Sequence, residues 1–133
     1  MDNTEIAAFC KENNIELLVL FGSRAVGKTH GGSDVDLAVK IRPGTDVAKL
    51  DLIFRLGGLF KEGEIDLVLI TRDTDPLLLS EIFSQGKLLF EERPGTYEEE
   101  RLRAWKLYLD TEKLRRMQKD YIKKFAEKYG DVA

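Results

Sequence analysis

A chain of 133 residues, 43% apolar and 34% charged, is long enough for one domain with a real hydrophobic core. Its net charge of −3 argues against a strongly basic nucleic-acid binder, and its single cysteine, Cys10, rules out an internal disulfide and gives no zinc cluster. Met1-Asp2-Asn3-Thr4-Glu5 lacks the basic-then-apolar order of a secretory leader, and no apolar stretch approaches the roughly 20 residues that span a bilayer, so a reducing, cytoplasmic setting is expected.

In chain order, Asp2 to Asn14 reads as a helix. Asp2 and Glu5 have capping-box spacing, and Ile6, Phe9 and Cys10 share one face, which assigns Cys10 to the core. Glu16 to Phe21 is a short apolar run, as in a buried strand, and Val35 to Ile41 is a second strand stopped by Pro43-Gly44. Asp46 to Lys61 carries Val47, Leu50, Ile53, Phe54 and Leu56 at helical period, is weakened by Gly57 and Gly58, and is expected to end at Gly63. Glu64 to Ile70 is a third strand. Asp75 caps a further helix with Pro76 at its first position; Gly86 closes it, and Lys87 to Phe90 is a short extended segment.

After a break at Pro94-Gly95, residues 97–128 are helical again. Ten Lys/Arg and seven Asp/Glu make this a mixed solvated surface, not a nucleic-acid stripe. Leu102, Trp105 and Leu109 form one apolar stripe; Leu107, Leu114, Met117, Tyr121 and Phe125 form a second, rotated one. The change near Asp110-Thr111 predicts a kink or a helix with two different neighbours, one stripe packing on the domain and the other docking a partner helix. The expected fold is α+β, a small mixed sheet with helices packed on it (residues 1–92), with a helical C-terminal extension of the same domain (residues 93–133).

The chemistry concentrates in residues 22–36. Gly22-Ser23 follows a strand directly, so its backbone N–H groups and the Ser23 hydroxyl can donate to a phosphate, whose charge Arg24 can neutralise. Gly27-Lys28-Thr29 only partly echoes a Walker A loop. Asp34 and Asp36 lie two apart at a strand's start, so their side chains share a face with Cα atoms about 7 Å apart. Two such carboxylates repel and raise each other's pKa, a cost that magnesium offsets. Asp66, between Ile65 and Leu67 on a strand expected to be mostly buried, can join them if its strand lies alongside. Three acids can then hold two metals for in-line phosphoryl transfer. Taken singly, each of these acids is an ordinary turn or strand residue, and Gly-Ser an ordinary tight turn; the combination carries the reading. His30 is expected to be an exposed loop residue.

Phe21-Gly22-Ser23-Arg24-Ala25, then Ser33-Asp34-Val35-Asp36-Leu37-Ala38-Val39, then Ile65-Asp66-Leu67-Val68 resembles the nucleotidyltransferase superfamily that includes DNA polymerase beta and kanamycin nucleotidyltransferase. Pro76 to Ile82 and Gly86 to Glu91 extend the likeness to the small stand-alone members, the minimal nucleotidyltransferases (MNT). The resemblance covers roughly residues 5–92. It implies magnesium-dependent transfer of AMP from ATP to a hydroxyl, with two magnesium ions on Asp34, Asp36 and Asp66, and Asp66 helping to deprotonate the acceptor. Gly22 and Ser23 would hold the β- and γ-phosphates, with Arg24 and Ser33 completing the nucleotide site. It also implies a partner, the HEPN ribonuclease of HEPN/MNT toxin–antitoxin pairs, whose tyrosine such antitoxins adenylylate. Neither membrane nor direct nucleic-acid binding is expected. Only about 40 residues follow Glu92, little for an acceptor pocket, so the acceptor is expected on another protein. A non-catalytic antitoxin that acts by binding, and a transferase for a small molecule such as an antibiotic, are the alternatives.

Overall fold

The computed structural model describes residues 2–22, 25, 27, 34–61 and 63–130. Eight elements follow in order: α1 (Asn3–Glu12), β1 (Ile15–Phe21), β2 (Val35–Ile41), α2 (Lys49–Leu59), β3 (Ile65–Leu69), α3 (Pro76–Gln85), β4 (Lys87–Glu91) and α4 (Thr96–Tyr129). The strands form one sheet in the order β3-β2-β1-β4. β1 is antiparallel to both neighbours and β2 is parallel to β3, so the sheet is mixed and the fold α+β, as expected.

Strand alternation gives the sheet two apolar faces. Val35, Leu37, Val39 and Leu67 pack under α1 and α2, against Ile6, Cys10, Leu52 and Leu56. Leu17, Val19, Phe21 and Ala38 pack under α3 and α4, against Leu79, Ile82, Phe83 and Ala104. The register slips between Ile15 and Leu17, as at a β-bulge, and Glu16 reaches Lys40. Cys10 is fully buried, and desolvation pushes its thiol pKa up to about 12.

The helix starts follow their caps. Asp2 Oδ1 accepts the Glu5 N–H at 2.9 Å, and Asp75 Oδ1 accepts the Leu77 N–H at 2.8 Å. Gly86 turns the chain from α3 into β4 where a Cβ would strike Ile82 O and lie 2.7 Å from Val19 Cγ1. α2 departs from expectation. It ends at Leu59, and Gly63, at φ +85°, serves the turn into β3. Its buried side is Leu52 and Leu56, whereas Leu50 and Phe54 are 81% and 82% exposed. The sequence offers two apolar sides, and the sheet takes the one that adds Ile53 to Leu52 and Leu56.

α4 runs uninterrupted through 34 residues, about 51 Å. Gly95 has no side chain to cap it, and Glu91 at the end of β4 substitutes, its Oε2 accepting the Tyr97 N–H at 2.9 Å. The Tyr97 hydroxyl donates to Gly86 O at 3.2 Å, and its ring lies 5.6 Å from that of Phe83. Lys40 Nζ meets Glu100 Oε1 at 2.9 Å and Glu16 Oε1 at 3.7 Å, and Arg103 holds the other Glu100 oxygen.

The packed face of α4 is neither predicted stripe as written. Thr96, Glu100 and Ala104 are buried and Leu107 packs beside them, while Leu102, Trp105 and Leu109 are 50%, 58% and 42% exposed. Near the expected change of stripe, Thr111 Oγ1 donates to Leu107 O at 2.9 Å within a continuous helix. Among the described residues no helix is long and apolar enough to cross a membrane.

Candidate active site

Three strand ends meet at one place. Phe21 at the end of β1 pairs with Asp36 near the start of β2, and Asp36 pairs with Asp66 near the start of β3. Alternation points Asp36, Ala38 and Lys40 to the α3–α4 side of the sheet, and sends Asp66 and Val68 the same way. Adjacent strands lie about 4.8 Å apart, so the register sets the two carboxylates side by side.

The Asp36 carboxyl is held above the ordinary carboxylate range. Burial is the main cause, followed by the neighbouring Asp66 carboxyl, then the charges of Asp34 and Glu81. Asp66 itself is exposed, because β3 is an edge strand; the expectation that it sits on a mostly buried strand is corrected. Asp34 is exposed just before β2. Glu81 of α3 was not anticipated. The available signal was an acid in an otherwise apolar, sheet-packed helix; its reach to Asp36 depends on how α3 crosses the sheet.

Gly22 closes the site from β1. It has φ +75°, and a Cβ there would fall on Asp36 Oδ2 and lie 3.0 Å from Asp36 Cγ. Both the backbone conformation and the approach of the carboxylate therefore require glycine. The Ala25 N–H donates to Gly22 O at 3.2 Å, closing the turn. Ser23, Arg24, His30 and Ser33, named above from the sequence, lie outside the described residues.

The donor set is all carboxylate oxygen, which suits a hard cation such as magnesium and not the softer metals that select thiolate. Gly22 leaves Asp36 Oδ2 uncovered on the turn side, so the residues fit such an ion. Among the described residues no three His, Cys, Asp or Glu side chains stand close enough to share one ion as they lie. The structure thus joins Asp36 to Asp66, with Asp34 and Glu81 acting on Asp36 through their charge. A cavity of about 390 Å³ between α3 and α4, lined in part by Phe83, Arg101 and Trp105, includes none of these acids.

The family model for polymerase beta nucleotidyltransferases matches residues 4–94. The protein adenylyltransferase MntA of Shewanella oneidensis is 29% identical over 109 residues, 80% of this chain and 74% of that protein. A crystal structure of a toxin–antitoxin with AMP-PNP contains a chain that matches at a TM-score of 0.74 and 25% identity, over 92% of this chain and 98% of that one. A structure of tri-AMPylated Shewanella oneidensis HEPN toxin in complex with MNT antitoxin matches at a TM-score of 0.65 and 21% identity, over 90% of this chain and 94% of that one, a likeness of fold.

Proposed function

The chain belongs to the polymerase beta nucleotidyltransferase family, and from that premise we propose that it is a magnesium-dependent adenylyltransferase acting on a protein. The donor is ATP, and the acceptor is a tyrosine hydroxyl of a HEPN ribonuclease toxin, which the transfer neutralises. The observation that carries this reading is the pairing of Asp36 with Asp66 in register on adjacent strand ends, closed by a glycine that admits no side chain. The likeness to an adenylyltransferase of the same family supports AMP as the transferred group.

Asp34, Asp36 and Asp66 would hold the magnesium, two ions in all. When bound, magnesium neutralises the triphosphate and polarises the α-phosphate. Gly22 and Ser23 bind the β- and γ-phosphates, and Arg24 and Ser33 complete the nucleotide site. Asp66, exposed at the sheet edge where another protein can approach, takes the proton of the acceptor hydroxyl. The freed oxygen attacks the α-phosphorus, the bond to the α–β bridging oxygen breaks, and pyrophosphate leaves.

The test is to incubate the full chain with Mg-ATP and a HEPN-type protein from the same genome and to read intact masses. The expected result is a gain of whole AMP units on a HEPN tyrosine, lost with Asp36→Ala and with Asp66→Ala. No gain, with Asp36→Ala protecting cells as well as the unaltered chain, overturns catalysis in favour of neutralisation by binding alone.

A further inference from the structure

We propose that the distal half of α4, residues 112–129, docks an amphipathic helix of the acceptor protein whose apolar face is flanked by Asp and Glu. Resting on the function proposed above, it assigns the surface that presents the acceptor to the acids.

At about 100° per residue, Thr96, Glu100, Ala104, Leu107 and Thr111 fall within an arc of about 80° on α4. Thr96, Glu100 and Ala104 of this arc are buried, and Leu107 and Thr111 are half-buried. Continued past the domain, the same arc carries Leu114, Ile122, Phe125 and Tyr129, with Tyr121 about 20° and Met117 about 60° beyond its edge. All six are exposed, at 47–70%. The helix therefore prolongs its packing face by about 27 Å beyond the residues that use it. Tyr121 and Phe125 stack at 6.4 Å and Phe125 and Tyr129 meet at 4.9 Å, so the stripe is a ready-ordered row of rings. Such rings are the usual anchors of protein interfaces.

Charge selects the occupant. On the same angular count, Lys113 and Lys124 flank one side of the stripe, Lys128 stands between Met117 and Tyr121 on that side, and Arg115 and Lys119 flank the other. Glu112, Asp120 and Glu127 lie on the far side, among Arg116 and Lys123, with Arg116 paired to Glu112. A second copy laid along this helix would bring basic rim to basic rim. An anionic membrane would attract the helix but repel the rest of the chain, where residues 1–111 hold 20 Asp/Glu against 14 Lys/Arg. Gln118, in the middle of the stripe, also suits a protein surface better than acyl chains. A helix with an apolar face and acidic flanks satisfies both the stripe and its rims.

The experiment titrates the full chain with the HEPN-type protein by calorimetry at low and high salt, and follows AMP transfer by mass in the same samples. Lys124→Glu with Lys128→Glu, both on an exposed face, should weaken Kd about 10-fold or more and flatten its salt dependence. Tyr121→Ala with Phe125→Ala should weaken it about 100-fold, with circular dichroism and ATP affinity unchanged. Unaltered Kd in both pairs, or no binding by the unaltered chain, overturns the assignment. So does a dimer in sedimentation velocity, or binding to phosphatidylserine vesicles, that these substitutions abolish while HEPN affinity stays the same. Binding without AMP transfer overturns the enzymatic function and leaves the docking surface standing; transfer with variant-insensitive binding does the reverse.

Discussion

Asp36 and Lys40 sit four residues apart on the same face of β2, and their surroundings are opposites. Lys40 meets Glu100 at 2.9 Å and Glu16 at 3.7 Å, and Arg103 answers the second Glu100 oxygen. Among the described residues, every charged group that shifts Asp36 is another acid. One end of the strand pairs acid with base and fastens α4 to the sheet, although Glu16 Oε2 is buried there without a hydrogen bond. The other gathers like charges beside a turn that only glycine can make. Negative charge concentrated against burial is costly to folding, and is useful where a cation and a triphosphate must be received.

Asp36→Asn should break that contrast most sharply. AMP transfer should fall on the order of 10³-fold, read from initial rates. Stability should change in the opposite sense. Because burial and its acidic neighbours raise the Asp36 pKa, the folded chain holds more protons than the unfolded one just above the ordinary carboxylate range. Stability is therefore full below that range and declines as pH rises through the raised value. Melting curves in chelator from about pH 4 to 7 should show this decline in the unaltered chain and less of it in the variant. A variant that melts lower at neutral pH would show that Asp36 is compensated within the protein.

At the other end, Glu100→Ala leaves Lys40 with only its longer contact to Glu16. It should cost about 2 kcal/mol, measured by urea denaturation, without changing ATP affinity. A loss of ATP binding would mean that the two ends are coupled. The smallest effect is expected under the opposite sheet face: Phe54→Ser on the outer side of α2 should alter stability by no more than about 0.5 kcal/mol. A larger change would assign that side a packing role.

The strands were legible because they depend on local rules, and so, once β2 and β3 lie side by side, was the pairing of Asp36 with Asp66. Alternation puts Asp34 and Asp36 on one face, and Asp66 interrupts an apolar run. The exposure of Asp66 was not legible, since it follows from β3 lying at the edge, and strand order is set by contacts far apart in sequence. Glu81 stayed hidden for the same reason. In α2 and α4 the helices were clear, but each offered two apolar sides, and only packing decides which is used. Leu50 and Phe54 lost to Leu52 and Leu56; Leu102, Trp105 and Leu109 lost to Ala104 and Leu107. The cap that Glu91 provides to α4 spans a turn and leaves no fixed spacing to recognise.

The burial of Cys10 has a practical consequence. Desolvation holds the buried thiol in its protonated form at neutral pH, and the thiolate is the form that maleimides and iodoacetamides attack. The native chain is thus expected to label slowly with such reagents. A cysteine introduced at an exposed position of α4, such as Gln118→Cys, would be the one reactive handle, so a fluorophore could report from the far end of the helix without first removing the natural residue.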